Sequence, residues 1–364
     1  MTLDRNHLLN IDWIMILLLL VIMSSGVAVI YSSSYYMEGS YGLRQGIFMA
    51  ISLVVIFLLI SIDYTVYVTY AAYFYIFCLV ILGGVLLFGN LIAGTKSWFR
   101  LPFFQIQPSE LMKLALILIL ANVLSEFKGK NISRRLFILS GFLVIIPGFL
   151  VAVQPDLGTA LSMFPIYLGA LILAGINKKT MVFLLIVAIV LGVLSWSFFL
   201  KDYQKDRLST LVFPQKDPLG AGYQVIQSKI AIGSGGFIGK GYTKGTQSQL
   251  RFLPARHTDF VFSVIGEEFG FLGVLVMLSL YFFLLARIFK SVNKSRDRTG
   301  IYIVFMVAMM IGGQFFINVF MTIGLFPVAG IPLPFLSYGG SSLITNAMAV
   351  SLVLNVKMRR FVNV

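Results

Sequence analysis

Apolar runs of membrane-spanning length dominate this chain. A helix crosses a bilayer with roughly 20 apolar residues at about 1.5 Å rise each. Runs of that kind fall at 11–31, 45–62, 66–88, 109–124, 136–153, 159–175, 180–200, 260–289, 301–323 and 343–356, about ten spans in all. The first run sits where a signal peptide would. It is long, lacks an A-x-A-like cleavage site and is followed by further spans, so it is predicted to be a transmembrane helix. After the seventh run the pattern breaks. Residues 201–259 form a long polar, glycine-rich connection with no continuous apolar span, and a connection of that length is a functional or a disordered one. Within it GYQVIQSKIAI sets Val225, Ile226, Ile230 and Ile232 among polar residues, which predicts an amphipathic helix lying at the interface.

These elements predict an all-α polytopic integral membrane protein. It is read as one transmembrane domain over residues 1–364, with residues 201–259 as the large extracytoplasmic loop between helices 7 and 8. Charge gives the orientation. Lys128, Lys130, Arg134 and Arg135 share one loop; Lys178 and Lys179 share another; Arg287, Lys290, Lys294, Arg296 and Arg298 a third; and Lys357, Arg359 and Arg360 lie in the tail. With the spans above, all four clusters face one side, together with the N-terminus. The positive-inside rule makes that side the cytoplasm, so both termini are cytoplasmic and the 201–259 connection faces outward.

Composition agrees. The 364 residues are 59% hydrophobic and 12% charged, with mean hydropathy +0.93, and the bilayer must be the solvent for most of that surface. The net charge of +14 would suggest nucleic acid in a soluble protein. Here it sits in loops, where topology and anionic membrane lipid explain it. The single cysteine, Cys78, lies in an apolar run and excludes an intramolecular disulfide and a multi-cysteine metal site.

Acids beside apolar spans are costly and need a reason. Asp63 ends a span on the cytoplasmic side and reads as structural. Glu110, Asp156 and Asp259 fall at the outer face. Asp259, in LPARHTDFVF, is the one acid between Asp217 and Glu267, set among Lys229, Lys240, Lys244, Arg251 and Arg256. It is either the cap of the following helix or a general base, and the surrounding cations favour function. His257 reads as a hydrogen-bond partner rather than a nucleophile. Glu110 and Lys113 stand at i,i+3 in QPSELMKLA and pair on one helix face. They are a structural ion pair or an anion-binding lysine with its positioning acid. Asp156, in QPDLGTA, is a helix cap or a catalytic or cation-binding group. Trp98, beside Lys96 and Arg100, is an interfacial anchor or a platform for a sugar or lipid head group. Gly233-Ser-Gly-Gly and Gly239-Lys-Gly resemble anion-cradling loops. No Walker A, dinucleotide fingerprint, H-E-x-x-H or G-x-S-x-G motif occurs. Cations at an apolar outer face point to a phosphate-bearing, lipid-tailed substrate.

The motifs GTKSWFRLPFFQIQPSELMKLA, QPDLGTA, GYQVIQSKIAIGSGGFIGKGYTKGTQSQLRFLP, HTDFVFSVIGEEFGFLG and PVAGIPLPFLSYGGSS together resemble the SEDS (shape, elongation, division and sporulation) family over essentially the whole chain. GTQSQLRFLP and the short N-terminus look more like its elongation branch than its division branch. The resemblance implies a ten-helix peptidoglycan glycosyltransferase in the bacterial cytoplasmic membrane. Such enzymes polymerise lipid II into β-1,4 glycan at the outer face, on undecaprenyl pyrophosphate, beside a class B penicillin-binding protein. It implies the family's essential aspartate at Asp259 and its tryptophan at Trp98. Its motif acid and lysine fall at Glu110 and Lys113, and its QPD aspartate at Asp156. Arg100, Arg251 and Lys240 are then expected on the departing pyrophosphate. A divalent cation is compatible with that task, although the sequence carries no dedicated cage. One departure stands out: Ala255 occupies a position where the family usually has Glu. The rival readings are a lipid II flippase, a division role, and a scaffold that only recruits the partner. The outward gathering of the charged candidates argues against a flippase path through the midplane.

Overall fold

The computed structural model describes residues 10–35, 40–92, 95–100, 105–127, 129, 131–177, 179–180, 182, 186, 205, 209–211, 215 and 220–359. Among these, eight helices are long and apolar enough to cross a membrane, and a shorter apolar helix, Leu157–Leu173, joins them. Most of the expected seventh span, 180–200, and most of 201–219 lie outside the described residues.

The helices are α1 (Trp13–Ser33), α2 (Tyr41–Ser61), α3 (Tyr64–Thr69), α4 (Ala71–Phe88), α5 (Pro108–Ser125), α6 (Arg134–Val153), α7 (Leu157–Leu173), α8 (Ala221–Ser234), α9 (Thr246–Gln249), α10 (Val261–Val292), α11 (Arg298–Thr322) and α12 (Gly340–Met358). The expected third span is thus two helices, with Tyr70 ending the first and starting the second. The all-α reading gains one exception. The connection from α4 to α5 is a small antiparallel sheet, β1 (Asn90–Ile92), β2 (Thr95–Arg100) and β3 (Gln105–Ile106), in that order. Helices α5, α11 and α12 are buried on most sides, whereas α2, α4 and α6 turn most of their surface outward. Lipid is as apolar as the side chains it touches, so close packing and polar contacts hold such helices together.

The helix ends assigned to the cytoplasm are tied to one another. Asp12, at the start of α1, accepts bonds from Arg287 at the end of α10 (2.8 Å) and from Lys357 at the end of α12. Arg359 pairs with Asp63 at 3.2 Å, and the Tyr64 hydroxyl donates to Asp297 at 2.8 Å. Asp63 also caps α3 through the Thr65 N–H, so it is structural, as read.

The side assigned to the exterior is built differently from the expected loop. α8 forms where expected, but it packs against α10 and α11 instead of lying free at the interface. The Ser228 hydroxyl sits 2.6 Å from both the Ser263 hydroxyl and the Thr322 carbonyl. After α8 the glycine-rich chain turns down into a break in α10. Gly270 there has φ 63°, ψ −157°. A break strands carbonyls above it and N–H groups below it. The loop takes four of these groups: Lys240 and Gly241 N–H donate to the Glu267 and Glu268 carbonyls, and Phe271 and Leu272 N–H donate to the Gly236 and Phe237 carbonyls, at 2.9–3.1 Å. Gly270 lies nine residues past Val261, so the join is about 14 Å down the helix from its outer end. Irregular backbone at such depth survives only when its polar groups are satisfied within the protein. The close approach needs glycine. A Cβ at Gly239 would lie 2.1 Å from the Glu268 carbonyl oxygen, and one at Gly235 would lie 1.9 Å from that of Gly266. Gly235 and Gly239 therefore let the loop mend a helix rather than cradle an anion.

The connection from α11 to α12 is also re-entrant. Leu333, Phe335 and Leu336 are buried, the Tyr281 hydroxyl donates to the Pro334 carbonyl, and α1 comes so close at Gly26 that a Cβ there would meet the Leu336 carbonyl oxygen at 2.8 Å.

Candidate active site

Asp259 stands just outside α10. The cap residue of that helix is Phe260, and its side chain makes no capping bond. The turn carrying Asp259 is fastened from three directions. The Arg256 guanidinium, buried, donates to the Ser33 carbonyl at the end of α1 at 2.7 Å. Tyr338 N–H donates to the His257 carbonyl at 2.8 Å, and the Ser337 hydroxyl donates to that of Thr258. The Asn318 side-chain amide, on α11, donates to the Asp259 carbonyl at 2.9 Å and to that of Ile331 at 2.8 Å. The backbone at Asp259 is thus held while its side chain stays partly exposed. Its Oδ2 faces Gly330, 3.9 Å from where a Cβ on that glycine would stand.

The same re-entrant loop reaches the second group of acids. Next to Gly330, the Ala329 carbonyl presses on Gly158, where a Cβ would lie at 1.7 Å. Gly158 follows Asp156, which caps α7 by accepting Thr159 N–H at 3.1 Å and takes the Gln107 amide at 2.9 Å. The capping reading of Asp156 holds, and the side chain has a further partner besides. Burial pushes its carboxyl above the usual range, against the Thr159 bonds, and the charges of Glu110 and Lys113 both act on it. Glu110 and Lys113 form the expected pair at 2.8 Å, both buried. Glu110 keeps its second oxygen, Oε2, buried without a hydrogen-bond partner. Residues 328–330 therefore bridge Asp259 to the Gln107, Glu110, Lys113 and Asp156 network.

Trp98 is half-buried on β2, opposite Asn90. β2 pairs with β3 through Phe99 and Ile106, and β3 runs into Gln107, whose N–H donates to the Ser341 hydroxyl at 3.2 Å. The sheet thus ties Trp98 to the first turn of α12. The Arg100 backbone pairs with Gln105, and its side chain lies outside the described residues. Arg251 is exposed, in the left-handed region at φ 65°. Lys240 is engaged elsewhere. Its ammonium bonds to Glu267 at 2.9 Å and Thr246 at 2.7 Å, and Glu267 also accepts the Gln247 and Ser248 N–H groups. That cluster holds the loop in the α10 break.

Three residues beside Asp259 escaped the sequence reading. The His257 ring packs against both Tyr41 (4.9 Å between ring centres) and Tyr338 (5.8 Å), which also meet each other at 5.2 Å, and Arg44 bonds to the Tyr338 hydroxyl. Burial, and then the charge of Arg256, hold the His257 imidazole below the ordinary histidine range, so it is neutral near pH 7. The only signal in the sequence was a cation, Arg44, at the head of an apolar run. Among the described residues, no three His, Cys, Asp or Glu side chains are grouped to hold a metal ion.

Comparison with known proteins agrees with this geometry. A family model described as cell cycle protein, that of FtsW, RodA and SpoVE, matches residues 12–361. The peptidoglycan glycosyltransferase MrdB of Escherichia coli K12 is 38% identical, over 98% of this chain and 95% of its own. The stage V sporulation protein E of Bacillus subtilis 168 is 36% identical, over 95% of this chain and 96% of its own. A solved chain from a peptidoglycan synthase complex that coordinates polymerization and crosslinking superposes with TM-score 0.83 at 35% identity, covering 97% of this chain and 99% of that one. The rod shape determining protein RodA of Thermus thermophilus superposes with TM-score 0.73 at 30% identity, over 97% and 98%. With its motifs, its helical membrane fold and its full-length match in agreement, this chain belongs to the FtsW, RodA and SpoVE family of cell cycle proteins.

Proposed function

We propose that this peptidoglycan glycosyltransferase polymerises lipid II at the outer face of the bacterial cytoplasmic membrane, with Asp259 as its general base. The observation that carries the reading is the Asp259 turn, clamped through its backbone from α1, α11 and the re-entrant loop, with its side chain partly exposed and facing Gly330. The donor sugar is α-linked to a lipid pyrophosphate and the product bond is β-1,4, so one displacement with inversion suffices. Asp259 takes the proton of the acceptor 4-hydroxyl as that oxygen bonds to the donor anomeric carbon. The bond to pyrophosphate breaks, and the lipid pyrophosphate leaves with the electron pair. Lys113, held by Glu110, with Arg100 and Arg251, offsets the charge that develops on it. Lys240 has a smaller part in this than its position in the sequence suggested, because Glu267 occupies it. No step is assigned to a metal. Two substrates anchored in one membrane plane supply proximity.

The glycosyltransferase activity is supported by the identity to MrdB, and the elongation role by the likeness to a rod shape determining protein. The likeness to a chain from a polymerization and crosslinking complex supports a class B penicillin-binding protein as partner. The test is glycan formation from purified lipid II by the reconstituted protein with that partner. Asp259→Asn is expected to lower the rate by about 100-fold or more while leaving folding intact. Normal strand synthesis by that variant would remove Asp259 from the chemistry.

A further inference from the structure

Among the described residues, twelve buried side-chain atoms make no hydrogen bond, and six of them gather on three helices. They are Ser109 Oγ and Glu110 Oε2 on α5, both amide atoms of Gln314 and Asn318 Oδ1 on α11, and Asn346 Oδ1 on α12. All five residues are at most 2% exposed. The three helices pack on one another, and their contacts set a common depth. Gly300 of α11 lies against Val356 of α12. Fourteen residues from there toward the Asp259 end stand Gln314 on one helix and Ser342 on the other. Asn346 is one turn further in, and its amide donates to the Ser342 carbonyl at 2.9 Å. Gln107, three residues before Glu110, donates its N–H to the Ser341 hydroxyl. Ser109, Glu110, Gln314 and Asn346 thus lie within about 6 Å of one depth, with Asn318 one turn above.

The faces converge as well. Gln314 shares a face of α11 with Asn318, whose amide reaches the Asp259 and Ile331 carbonyls. Other faces of α11 meet α7 and α10, since Gly313 abuts Pro165 and Gly312 abuts Leu285. Asn346 stands about two and a half turns from Asn355, whose amide holds an α2 carbonyl, so Asn346 faces away from α2 and into the bundle. Side chains lean toward the N-terminus of their helix, and α11 and α12 are antiparallel, so Gln314 and Asn346 lean toward each other.

We propose that ordered water fills a polar chamber here, on the inner side of the Asp259 turn, and that Gln314 and Asn346 act through it as positioning residues for Glu110 and Lys113. So many buried polar atoms do not go without partners in a marginally stable protein. The free atoms select the occupant. Asn318 and Asn346 spend their Nδ2 groups on backbone carbonyls. Their oxygens are left as acceptors beside that of Glu110, whereas Gln314 offers a donor too. A molecule that both donates and accepts fits that set. A metal ion fits it less well, because the one carboxylate oxygen belongs to a residue whose charge Lys113 already balances at 2.8 Å. A buried water makes about two to four hydrogen bonds, enough to join Glu110 Oε2 to Gln314 and Asn346. The Glu110 carboxylate is then held from its free side, and the Lys113 ammonium is fixed on the other. The effect on catalysis rests on the reading of Lys113 as a group that meets the departing pyrophosphate, and the water itself does not.

Two substitutions at Gln314 separate water from packing, because the two roles rank them oppositely. Gln314→Met keeps the volume and removes the polar atoms, whereas Gln314→Ser leaves room for a further water. Assayed on lipid II with the partner, Gln314→Met is expected to lower kcat about tenfold with KM within about twofold, and Gln314→Ser to lower it by no more than about threefold. Asn346→Leu is expected to follow Gln314→Met. If Gln314 only fills space, methionine is harmless and serine, which opens a cavity, is the damaging change. That order, or equal effects from both, overturns the proposal. A high-resolution map of the wild-type protein with its partner decides the water without any variant. Density at about 2.8 Å from Glu110 Oε2, Gln314 and Asn346 supports the proposal. A dry chamber, or a peak ringed by oxygens at about 2.3–2.5 Å as a metal ion would be, overturns it. The map is independent of Asp259: normal polymerisation by Asp259→Asn would end the catalytic reading and leave the water to be decided by the density.

Discussion

At the scale of residues, the site keeps its charged groups by giving each a defined partner. Glu110 and Lys113 show what that costs. Both are buried, and breaking such a pair from one side leaves a charge stranded, at about 3–5 kcal/mol. Lys113→Met is therefore expected to lower the thermal unfolding midpoint in detergent markedly. Adding Glu110→Gln removes the stranded charge and is expected to recover most of that loss. Polymerisation separates scaffold from function: the double variant is expected to stay inactive on lipid II although refolded in stability. Recovery of activity along with stability would make the pair purely structural. The pair and its spacing were legible in QPSELMKLA. The unpartnered Glu110 oxygen was not, because satisfaction depends on what α7 and the re-entrant loop bring alongside.

At the scale of elements, two re-entrant segments do what an outer loop was expected to do. Both carry irregular backbone into the protein, and both depend on glycines at closest approach. Gly270→Ala puts a side chain at φ 63° and a Cβ 2.4 Å from the Gly239 nitrogen. Strained backbone of this kind costs about 1–3 kcal/mol before the clash is counted, so the variant is expected to lose stability in detergent and most of its polymerisation rate. Gly233→Ala is the contrast. Gly233 lies within α8 with open space around its Cβ position, so alanine there is expected to be neutral or to stabilise by up to about 1 kcal/mol. Equal damage from both substitutions would refute the helix-mending role. The sequence displayed these glycines plainly but suggested the wrong task. A glycine-rich loop looks the same whether its N–H groups point at a phosphate or at the carbonyls of a broken helix.

At the scale of the molecule, ion pairs lock one end and the Asp259 turn with its clamps occupies the other. The charge-derived orientation places Asn293 on the cytoplasmic side and Lys244 outside. Both are exposed and Cys78 is buried, so Asn293→Cys and Lys244→Cys report side without removing the native cysteine. A membrane-impermeant maleimide added to intact spheroplasts is expected to label position 244 and spare 293, with the pattern reversed in inverted vesicles. The opposite result would place Asp259 in the cytoplasm and end the outer-face reading.

The sequence by itself determined the membrane class and the described spans, predicted their sidedness and marked the residues worth watching. Each of these follows from local properties: run length, loop charge, and the high cost of an acid beside apolar surface. The described spans fall close to where the apolar runs lie. Only the tertiary structure decided which candidates work together. It put Lys240 on Glu267, joined Asp259 to the Glu110 and Asp156 network through Ala329 and Gly330, and gathered Tyr41, Tyr338 and His257 into one ring cluster. Those contacts join residues scores to hundreds of positions apart, and their geometry depends on how helices pack and loops re-enter. Neither periodicity nor composition carries that information.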